Sequence, residues 1–304
     1  MLNTYVQKAG VIVASGSDRM DFFNRMSTNN LASFTVNTYR KTVFTNDKGR
    51  IVDFVTLINL QDSTLILASP GLEDDLTAHL DKYIIMDDVK LDKPGQEFSK
   101  LSVWGENVMD EVNSALGYEI KNDSTVAMPG DDVYAYYDEY KTASVNFIGL
   151  KQQLDEIKSA LTDTKELSGQ EFEIFRIKHG IALPGNEITE QINPVECGLN
   201  EYISYNKGCY IGQEVISRLD AQGKIPKQMV LIASENGIAK DDKIFTRDTS
   251  DTNDKKEAGF ISSTAKDNKD NIGLGFIRSV SLDFDKDYFV ENNGVQTKIK
   301  ISKI

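Results

Sequence analysis

The sequence has only two cysteines and two histidines among its 304 residues. Cys197 and Cys209 stand twelve positions apart, so the chain has no Cys-x-x-Cys motif. A zinc or iron–sulphur site with four cysteine ligands is therefore excluded within one copy of the chain. A disulfide between the two is possible by count but disfavoured in a reducing compartment. We expect no metal site made by this chain alone.

Long hydrophobic runs are also missing. The sequence contains no run of about 18 apolar residues, the length that a membrane-spanning helix needs. The first residues, from Met1 onward, lack the basic start and apolar core of a secretory signal peptide. We therefore expect a cytoplasmic protein that does not interact with a membrane.

Positive charge is scarce. Lysine and arginine number 34 against 47 aspartate and glutamate residues, which gives a net charge of −13. The basic residues are dispersed along the sequence rather than clustered. Such a surface repels the phosphate backbone of DNA and RNA at long range. We therefore expect no direct binding to nucleic acid.

The N-terminal half shows the order strand–helix–strand–strand–helix twice, over about residues 1–95 and 96–180. In the first unit a helix is predicted over 17–31, and Ser69 before Pro70 is typical of the start of another helix, with the serine as its cap. This order predicts an α+β fold built from two ferredoxin-like units.

The C-terminal part differs in pattern. Residues 181–223 show little periodicity, and connections of that length tend to be functional. Residues 224–304 contain short strands between glycine, asparagine and aspartate turns, which predicts a small antiparallel β-barrel. We expect the charged stretch 246–256 to form an exposed hairpin tip.

The most unusual stretch is residues 207–214, which read Lys-Gly-Cys-Tyr-Ile-Gly-Gln-Glu. Glycines near Cys209 allow the backbone to approach a ligand or partner closely. Lys207 and Arg218 lie nearby in sequence, and cations beside a thiol favour its reactive thiolate form. The spacing alone favours the alternative, a buried, inert cysteine in a glycine-rich loop.

This stretch resembles the K-G-C-Y-x-G-Q-E signature of the YgfZ family, which belongs to the glycine-cleavage T-protein (aminomethyltransferase-like) superfamily. Further matches extend the resemblance over nearly the whole chain, at residues 15–18, 23–29, 44–46, 48–51, 183–185 and 193–196. The resemblance implies interlocked ferredoxin-like units with a central folate site over 1–223, in which 181–223 is the signature segment. A β-barrel over 224–304 would follow.

The ligand implied by the resemblance is tetrahydrofolate or a derivative. Arg176 matches a folate-contacting arginine of the superfamily, although a surface helix charge is the alternative. Asn46 and Asp53 lie on the hairpin that faces the folate site in T-proteins, and Asp53 is also a tentative acid/base. An acid on an apolar strand needs a reason, and a paired or edge-exposed acid is the alternative. The other folate-site residues that the resemblance implies are Asn29, Glu196, Lys207, Tyr210, Gln213 and Arg218.

The sequence also departs from the aminomethyltransferases. They carry an Asp-Asp pair where this chain has Asp53-Phe54, so one acid that could assist at the folate nitrogen is missing. Their G-Y-T-G-E segment, whose glutamate holds the pterin, has no convincing counterpart near 143–151. The thiol signature, in turn, is foreign to aminomethyltransferase chemistry. These differences point away from glycine cleavage.

Three functions remain open. The first is a folate-dependent accessory factor for assembling or maintaining iron–sulphur enzymes, with Cys209 as a functional thiol that meets its partner proteins transiently. The second is a tetrahydrofolate-dependent one-carbon (aminomethyl or methyl) transferase that uses Asp53. The third is a non-catalytic folate-sensing regulator in which Cys209 is structural. The resemblance favours the first.

Overall fold

The computed structural model describes residues 1–223, 225–248, 251–292 and 294–304. The chain forms two compact units. The first comprises Met1–Ser168 with Glu201–Gln213, and the second comprises Gly169–Asn200 with Glu214–Ile304. The boundaries of these units differ from those of the predicted regions 1–223 and 224–304. Residues 169–200 and the residues from 214 onward belong to the same unit as the barrel. Lys224, at the predicted boundary, lies outside the described residues.

The first unit contains two β-sheets and four helices among its described residues. Its elements are β1 (Leu2–Lys8), β2 (Gly10–Ser15), α1 (Arg19–Met26), β3 (Thr38–Thr45), β4 (Ile51–Asn59), β5 (Ser63–Ala68), α2 (Glu73–Asp81), β6 (Lys90–Asp92), β7 (Phe98–Trp104), α3 (Val108–Leu116), β8 (Ala127–Gly130), β9 (Val133–Asp138), β10 (Ser144–Leu150), α4 (Lys151–Ala160) and β11 (Thr164–Glu166). The five-stranded sheet has the order β3-β4-β5-β2-β6. The six-stranded sheet has the order β11-β1-β7-β10-β9-β8.

The two halves of this unit are interlocked through β1. The sequence pattern did not predict this strand, because its polar residues obscure the alternation of apolar and polar side chains. It pairs with β7 and β11 in the six-stranded sheet, while β2, which follows after one residue, pairs with β5 in the other sheet. The chain thus starts in one sheet and crosses at once to the other.

Each sheet has one face against helices and one face toward the other sheet. In the five-stranded sheet Val55 and Leu57 pack on residues of α1 and α2. In the six-stranded sheet Leu101 and Val103 pack on α3 and α4. Successive side chains of a strand point to opposite faces, so the residues between these positions face the space between the sheets.

The inner faces of the two sheets meet in a mixed apolar cluster. Its buried members come from β2, β4 and β5 on one side and from β9, β10 and the residues before β8 on the other: Val11, Ile58, Leu65, Val126, Tyr134, Tyr136 and Ile148. The members of this cluster show which strand positions face the space between the sheets.

The second unit contains α5 (Gly169–His179), most of α6 (Gln213–Gln222) and a closed antiparallel barrel of six strands. The strands are β12 (Lys227–Ser234), β13 (Lys243–Asp248), β14 (Asp251–Asp267), β15 (Asp270–Arg278), β16 (Tyr288–Asn292) and β17 (Val295–Ser302), in the order β12-β15-β14-β13-β16-β17. The predicted α+β class and C-terminal barrel are therefore confirmed. Among the described residues no helix is long and apolar enough to cross a membrane.

Two local predictions need correction, and a third is not tested. The helix predicted over 17–31 ends at Met26, because Ser27 is extended and bridges to Phe44 of β3. Ser69 does not cap a helix, because α2 begins only at Glu73 and has no side-chain cap. The stretch 246–256 contains the paired ends of β13 and β14. Residues 249–250 lie outside the described residues, so the exposed hairpin tip stays a prediction.

The barrel requires glycine at position 259. A Cβ atom there would lie 1.9 Å from the carbonyl oxygen of Phe276, so the paired backbones would have to separate. We expect Gly259→Ala to lower the free energy of unfolding by about 1–3 kcal/mol, the usual cost of overpacking. Gly237→Ala is the matched control, because a Cβ at 237 meets nothing within 4 Å. Equal denaturation midpoints for the two variants would contradict this prediction.

Candidate functional site

Asp53 lies on β4, on the face that packs against the helices. It is fully buried, and its Oδ2 accepts a hydrogen bond from the backbone N–H of Ser69 at 2.8 Å. Its Oδ1 accepts from the Ser69 hydroxyl at 2.6 Å and from the Phe54 N–H at 2.8 Å. Burial raises the pKa of Asp53, and the hydrogen bonds from Ser69 and Phe54 oppose that shift.

This geometry gives Asp53 a structural task. Both carboxylate oxygens are used to tie β4 to the residue that follows β5, and the side chain points away from the space between the sheets. The arrangement fits the paired-acid alternative. It does not place Asp53 where it could exchange a proton with a ligand between the sheets, so the predicted acid/base role receives no support from its position.

Asn46 and Asn29 also stabilise local backbone. The Oδ1 atom of Asn46 accepts from the N–H groups of Lys48 and Arg50, each at 3.0 Å, and so shapes the turn before β4. The Asn29 Nδ2 donates to the carbonyl oxygen of Lys41 at 2.7 Å. Their predicted folate contacts would have to be made alongside these bonds.

A cluster that the sequence reasoning missed lies between the two sheets. Lys41 of β3 and Asp138 at the end of β9 form an ion pair at 2.8 Å, and their side chains are only 9% and 10% exposed. The Lys41 Nζ lies 5.3 Å from the ring centre of Phe54 and 5.1 Å from that of Tyr140. Both distances are typical of cation–π contacts.

Three partly exposed rings form the aromatic part of this cluster. The Phe54 ring centre lies 5.2 Å from Tyr140 and 4.9 Å from Tyr202, and Tyr140 lies 6.0 Å from Tyr202. Because Phe54 follows Asp53 on the strand, it takes the opposite, inward face. We call Lys41, Phe54, Lys100, Asp138, Tyr140 and Tyr202 the inter-sheet cluster.

Lys100 brings a second ammonium group to the cluster. It stands opposite Ile148 in the pairing of β7 with β10, and residues directly opposite share one face, so Lys100 faces inward. Burial, reinforced by the charge of Lys41, lowers the pKa of Lys100 to about 8, and Asp138 acts in the other direction. Two lysines, each at an inward position of a different strand, are the sequence feature that could have indicated this cluster.

The predicted thiol segment begins with a lysine that is anchored in the first unit. The Nζ of Lys207 donates to the carbonyl oxygens of Ser27 at 2.7 Å and Asn29 at 2.6 Å. It also lies 5.1 Å from the ring centre of Tyr210. Burial lowers the pKa of Lys207 to about 8, since its described partners carry no negative charge.

The far end of the segment is anchored to the hairpin of β3 and β4. The carbonyl oxygen of Ile211 accepts from the Thr45 hydroxyl at 2.6 Å. Gly212 has a positive φ of 82°, and a Cβ there would lie 2.6 Å from the carbonyl oxygen of Asn46, so glycine is required. Tyr210 is buried, and burial raises the pKa of its hydroxyl. Cys209, between the two anchors, is exposed.

Two further predicted residues lie on α6. Gln213 is its first residue, and its backbone N–H donates to the carbonyl oxygen of Tyr210 at 3.2 Å. Arg218 lies further along the helix, in the second unit, and is exposed. Lys207, Tyr210 and Gln213 thus belong to the segment around Cys209 in the first unit, and the role of Arg218 stays a prediction.

Arg176 is fully buried in the second unit, so the alternative of a surface charge is wrong. Its Nε and Nη2 both donate to the carboxylate of Glu173. Its Nη1 donates to Glu187 at 3.2 Å and to the carbonyl oxygen of Ile181 at 3.3 Å, and Nη2 also donates to the Ser263 hydroxyl at 2.7 Å. A guanidinium has five N–H donors, and all five are occupied, so no donor remains for a folate.

Glu196 and Cys197 are buried beside this network. The Glu196 Oε2 accepts from the N–H of Asn193 and the Asn193 Oδ1 accepts from the N–H of Glu196, both at 3.0 Å. The Cys197 thiol donates to the carbonyl oxygen of Glu187 at 3.2 Å. Arg176 and Glu196 therefore stabilise the interior of this unit, and their ligand roles stay predictions without geometric support.

The hydrogen bonds between Ser69 and Asp53 can be tested by measuring the stability of variants. Asp53→Ala leaves the buried Ser69 and Phe54 N–H groups without an acceptor, so we expect the free energy of unfolding to fall by about 1–3 kcal/mol or more. Ser69→Ala removes only the bond from the hydroxyl and keeps the backbone N–H donor, and the double variant should lose less than the sum of the two single losses. Asp62→Ala, at an exposed position, is the control. Additive losses, or unchanged stability with weaker folate binding, would contradict the structural role.

Arg176 is tested in the same way. Arg176→Met leaves the buried carboxylate of Glu187 without its cation, and we expect a loss of about 3–5 kcal/mol in the free energy of unfolding. Arg278→Met removes an exposed ion pair with Glu257 in the same unit and should cost about 1 kcal/mol or less. A stable Arg176→Met protein that fails only in folate binding would show that the arginine serves a ligand.

Comparison with known proteins shows similarity of this chain to a domain family and to aminomethyltransferases. Residues 5–145 match the GCVT N-terminal domain. An aminomethyltransferase of Acidobacterium capsulatum is 32% identical over 129 residues, which is 41% of this chain and 33% of that protein. One from Geobacillus is 23% identical over 328 residues, covering 97% of this chain and 84% of the relative.

The fold has a solved counterpart. The crystal structure of the glycine cleavage system aminomethyltransferase T from Bartonella henselae superposes with a TM-score of 0.82 at 16% identity, over 100% of this chain and 85% of that one. The predicted T-protein-like fold is therefore confirmed. The domain match, the relatives and the fold together support membership of the chain in the glycine-cleavage T-protein (aminomethyltransferase-like) superfamily.

Proposed function

We propose that this protein is a tetrahydrofolate-binding accessory factor of the YgfZ type, which acts in the cytoplasm and presents the thiol of Cys209 to iron–sulphur enzymes. The observation that carries the proposal is the exposed cysteine on a segment held at both ends. Lys207 fixes one end and Ile211 with Gly212 fixes the other. A thiol in that position is offered to a partner rather than packed in a core.

The chemistry asked of Cys209 is transient ligation. The thiol would release its proton to solvent and, as the thiolate, coordinate an iron ion of a partner protein's cluster, without any net oxidation. One copy of this chain cannot hold a cluster through cysteine alone, because its other cysteine, Cys197, is buried with its thiol bonded to a carbonyl oxygen. A transient, shared ligand is the role that remains for a single exposed thiol.

Folate binding belongs to the inter-sheet cluster in this proposal. Partly exposed rings at Phe54, Tyr140 and Tyr202 offer faces on which a flat pterin ring can stack. The tetrahydrofolate chemistry of the superfamily supports this ligand. Neither Arg176 nor Asp53 contributes to the ligand site in this arrangement, because the hydrogen-bonding groups of both are engaged elsewhere.

The same residues argue against acid/base catalysis on the folate. Phe54 stands where aminomethyltransferases carry a second acid, and Asp53 is bonded to Ser69. Asp138 is the one carboxylate in the inter-sheet cluster, and Lys41 neutralises it. A one-carbon transferase remains the second candidate, because the matched relatives are aminomethyltransferases. It would need a proton donor other than Asp53.

The experiment is rescue of a [4Fe-4S] enzyme in cells that lack their own YgfZ-type protein. We expect the wild type to restore the enzyme's activity and Cys209→Ala to fail. Asn206→Ala changes an exposed residue of the same segment. This variant is the matched control and should restore the activity. Purified Cys209→Ala should still bind tetrahydrofolate, because the thiol is not part of the inter-sheet cluster.

Two outcomes would overturn the proposal. Full rescue by Cys209→Ala would remove the thiol from the function and leave a folate-sensing regulator. Failure of the soluble, folate-binding wild type to rescue would direct attention to the one-carbon transferase, which can be assayed by methyl or aminomethyl transfer to tetrahydrofolate.

A further inference from the structure

Two neighbouring apolar side chains of the first unit extend into solvent between α2 and β6. Ile85 is 84% exposed and Met86 is 93% exposed. Single apolar residues on a surface are common and need no explanation. Within the described part of the chain, however, these are the only two large apolar side chains that are consecutive in sequence and both exposed. We call Ile85 and Met86 the apolar tip.

The loop that carries the apolar tip is fixed by hydrogen bonds and by packing. The Oδ2 atom of Asp88 accepts from the N–H of Ser17 at 2.8 Å and from its hydroxyl at 2.9 Å. The N–H of Asp88 donates to the Oδ2 of Asp18 at 2.8 Å. On either side of the tip, Ile84 and Val89 pack against the buried core between the five-stranded sheet and its helices. A partner that covers a loop fixed in this way has little conformational entropy to remove, which favours binding.

The apolar tip is connected to the segment around Cys209 through the last turn of α1. The guanidinium of Arg25 pairs with the carboxylate of Asp87, the residue that follows Met86. The carbonyl oxygen of Arg25 accepts from the N–H of Ile211 at 3.3 Å, and Ile211 follows Cys209 by two residues. The tip and the exposed thiol are therefore both attached to one residue of one helix. A standard protein interface covers about 20–30 residues on each side, so a single partner can cover both.

The charges beside the apolar tip indicate what kind of molecule would cover it. The bonds that hold its loop bring together four carboxylates and one guanidinium, on Asp18, Asp21, Asp87, Asp88 and Arg25. The exposed side chains of Asp81, Lys82 and Lys90 at the ends of the loop leave the region acidic. Negative charge repels an anionic membrane and the phosphates of a nucleic acid. A protein surface with lysine or arginine around an apolar pocket is complementary to this arrangement.

We infer that the apolar tip docks in an apolar pocket on the iron–sulphur protein that receives the thiol of Cys209, and that lysine or arginine side chains border this pocket. The inference rests on the proposed function and deepens it, because it gives the same partner a second contact. Protein interfaces commonly have an apolar centre and a polar border, and methionine is enriched in them. The tip would select the partner to which the thiol is offered.

The main test measures binding of the purified protein to the [4Fe-4S] enzyme of the rescue experiment. Ile85→Ser with Met86→Ser, the serine double variant, should raise the dissociation constant at least about tenfold, because two apolar anchors are lost. Ile85→Leu with Met86→Leu keeps the apolar character and should bind within about threefold of the wild type. Met128→Ser changes an exposed methionine of β8, in the other sheet, and should leave the affinity unchanged. Wild-type affinity of the serine double variant would overturn the inference.

The serine double variant also separates docking from folding and from thiol chemistry. Both side chains are exposed, so we expect the denaturation midpoint and the affinity for tetrahydrofolate to stay at their wild-type values. The rate at which Cys209 reacts with a small thiol reagent should stay the same, because the thiol and its anchors are unaltered. A lower midpoint or a changed reaction rate, together with weaker binding to the enzyme, would mean that the tip supports the fold, and would overturn the inference.

The border of the pocket is tested through charge. Raising the sodium chloride concentration from about 0.05 to 0.5 M should weaken binding of the wild type at least about threefold, because salt screens opposite charges at an interface. Lys82→Glu adds an acid beside the tip and should tighten binding about twofold at the lower salt concentration. Weaker binding of Lys82→Glu would contradict a basic border and overturn that part of the inference.

Failure of the proposed function is distinguishable from failure of this inference. If the wild type does not rescue the enzyme, the proposed function fails, and direct binding still decides the inference: binding that depends on the tip supports it, and no binding overturns it. If the wild type and the serine double variant rescue equally, the proposed function stands and the inference fails. Self-association in sedimentation, or binding to vesicles of phosphatidylcholine and phosphatidylglycerol, that the serine double variant abolishes would assign the tip to a second copy or to a lipid surface. Either result would overturn the inference.

Discussion

The pairing of β4 with β3 decides what the first unit can do. In this register Asp53 stands opposite Phe44 and Phe54 stands opposite Val43. A strand alternates with a period of two, so a slip of one residue would exchange the faces of all its side chains. The turn at Asn46 fixes this register just before β4, and the bonds from Ser69 hold Asp53 near the start of the strand. As a result an aromatic ring, and not a carboxylate, reaches the space between the sheets.

That placement changes the electrostatics of the inner space. With Asp53 turned outward, Asp138 is the carboxylate that the inter-sheet cluster retains, and Lys41 neutralises it. A buried ion pair is weak evidence for stability, because the desolvation of both ions offsets their attraction. In the proposed function this ion pair lies beside the rings that a ligand would stack on. Lys100 faces the same space, and the one carboxylate of the cluster is paired, which does not favour proton donation by an acid.

Local patterns predicted much of the fold, and long-range contacts explain what they missed. The barrel strands and the helices with apolar stripes follow from spacing and turn residues alone. The environment of Arg176 does not, because its partners Glu187 and Ser263 lie 11 and 87 residues away. A lone arginine on a helix resembles a surface charge until those partners are known. The face of Asp53 was equally hidden, since alternation shows that neighbours differ in face but not which face is covered by helices.

The segment Glu201–Gln213 joins the two features on which the proposed function depends. Tyr202, near its start, packs on Phe54 in the inter-sheet cluster, and its carbonyl oxygen accepts from the Thr28 hydroxyl at 2.7 Å. Lys207, further along, binds the carbonyl oxygen of Asn29, whose side chain in turn binds the backbone of Lys41. A ring stacked on Tyr202 would therefore contact the same segment that carries Cys209. A ligand shifts a conformational equilibrium only through contacts that differ between the two states. Here a ring stacked on Tyr202 and the thiol of Cys209 would be connected through this one segment. Folate occupancy and presentation of the thiol are thus compatible with a single function.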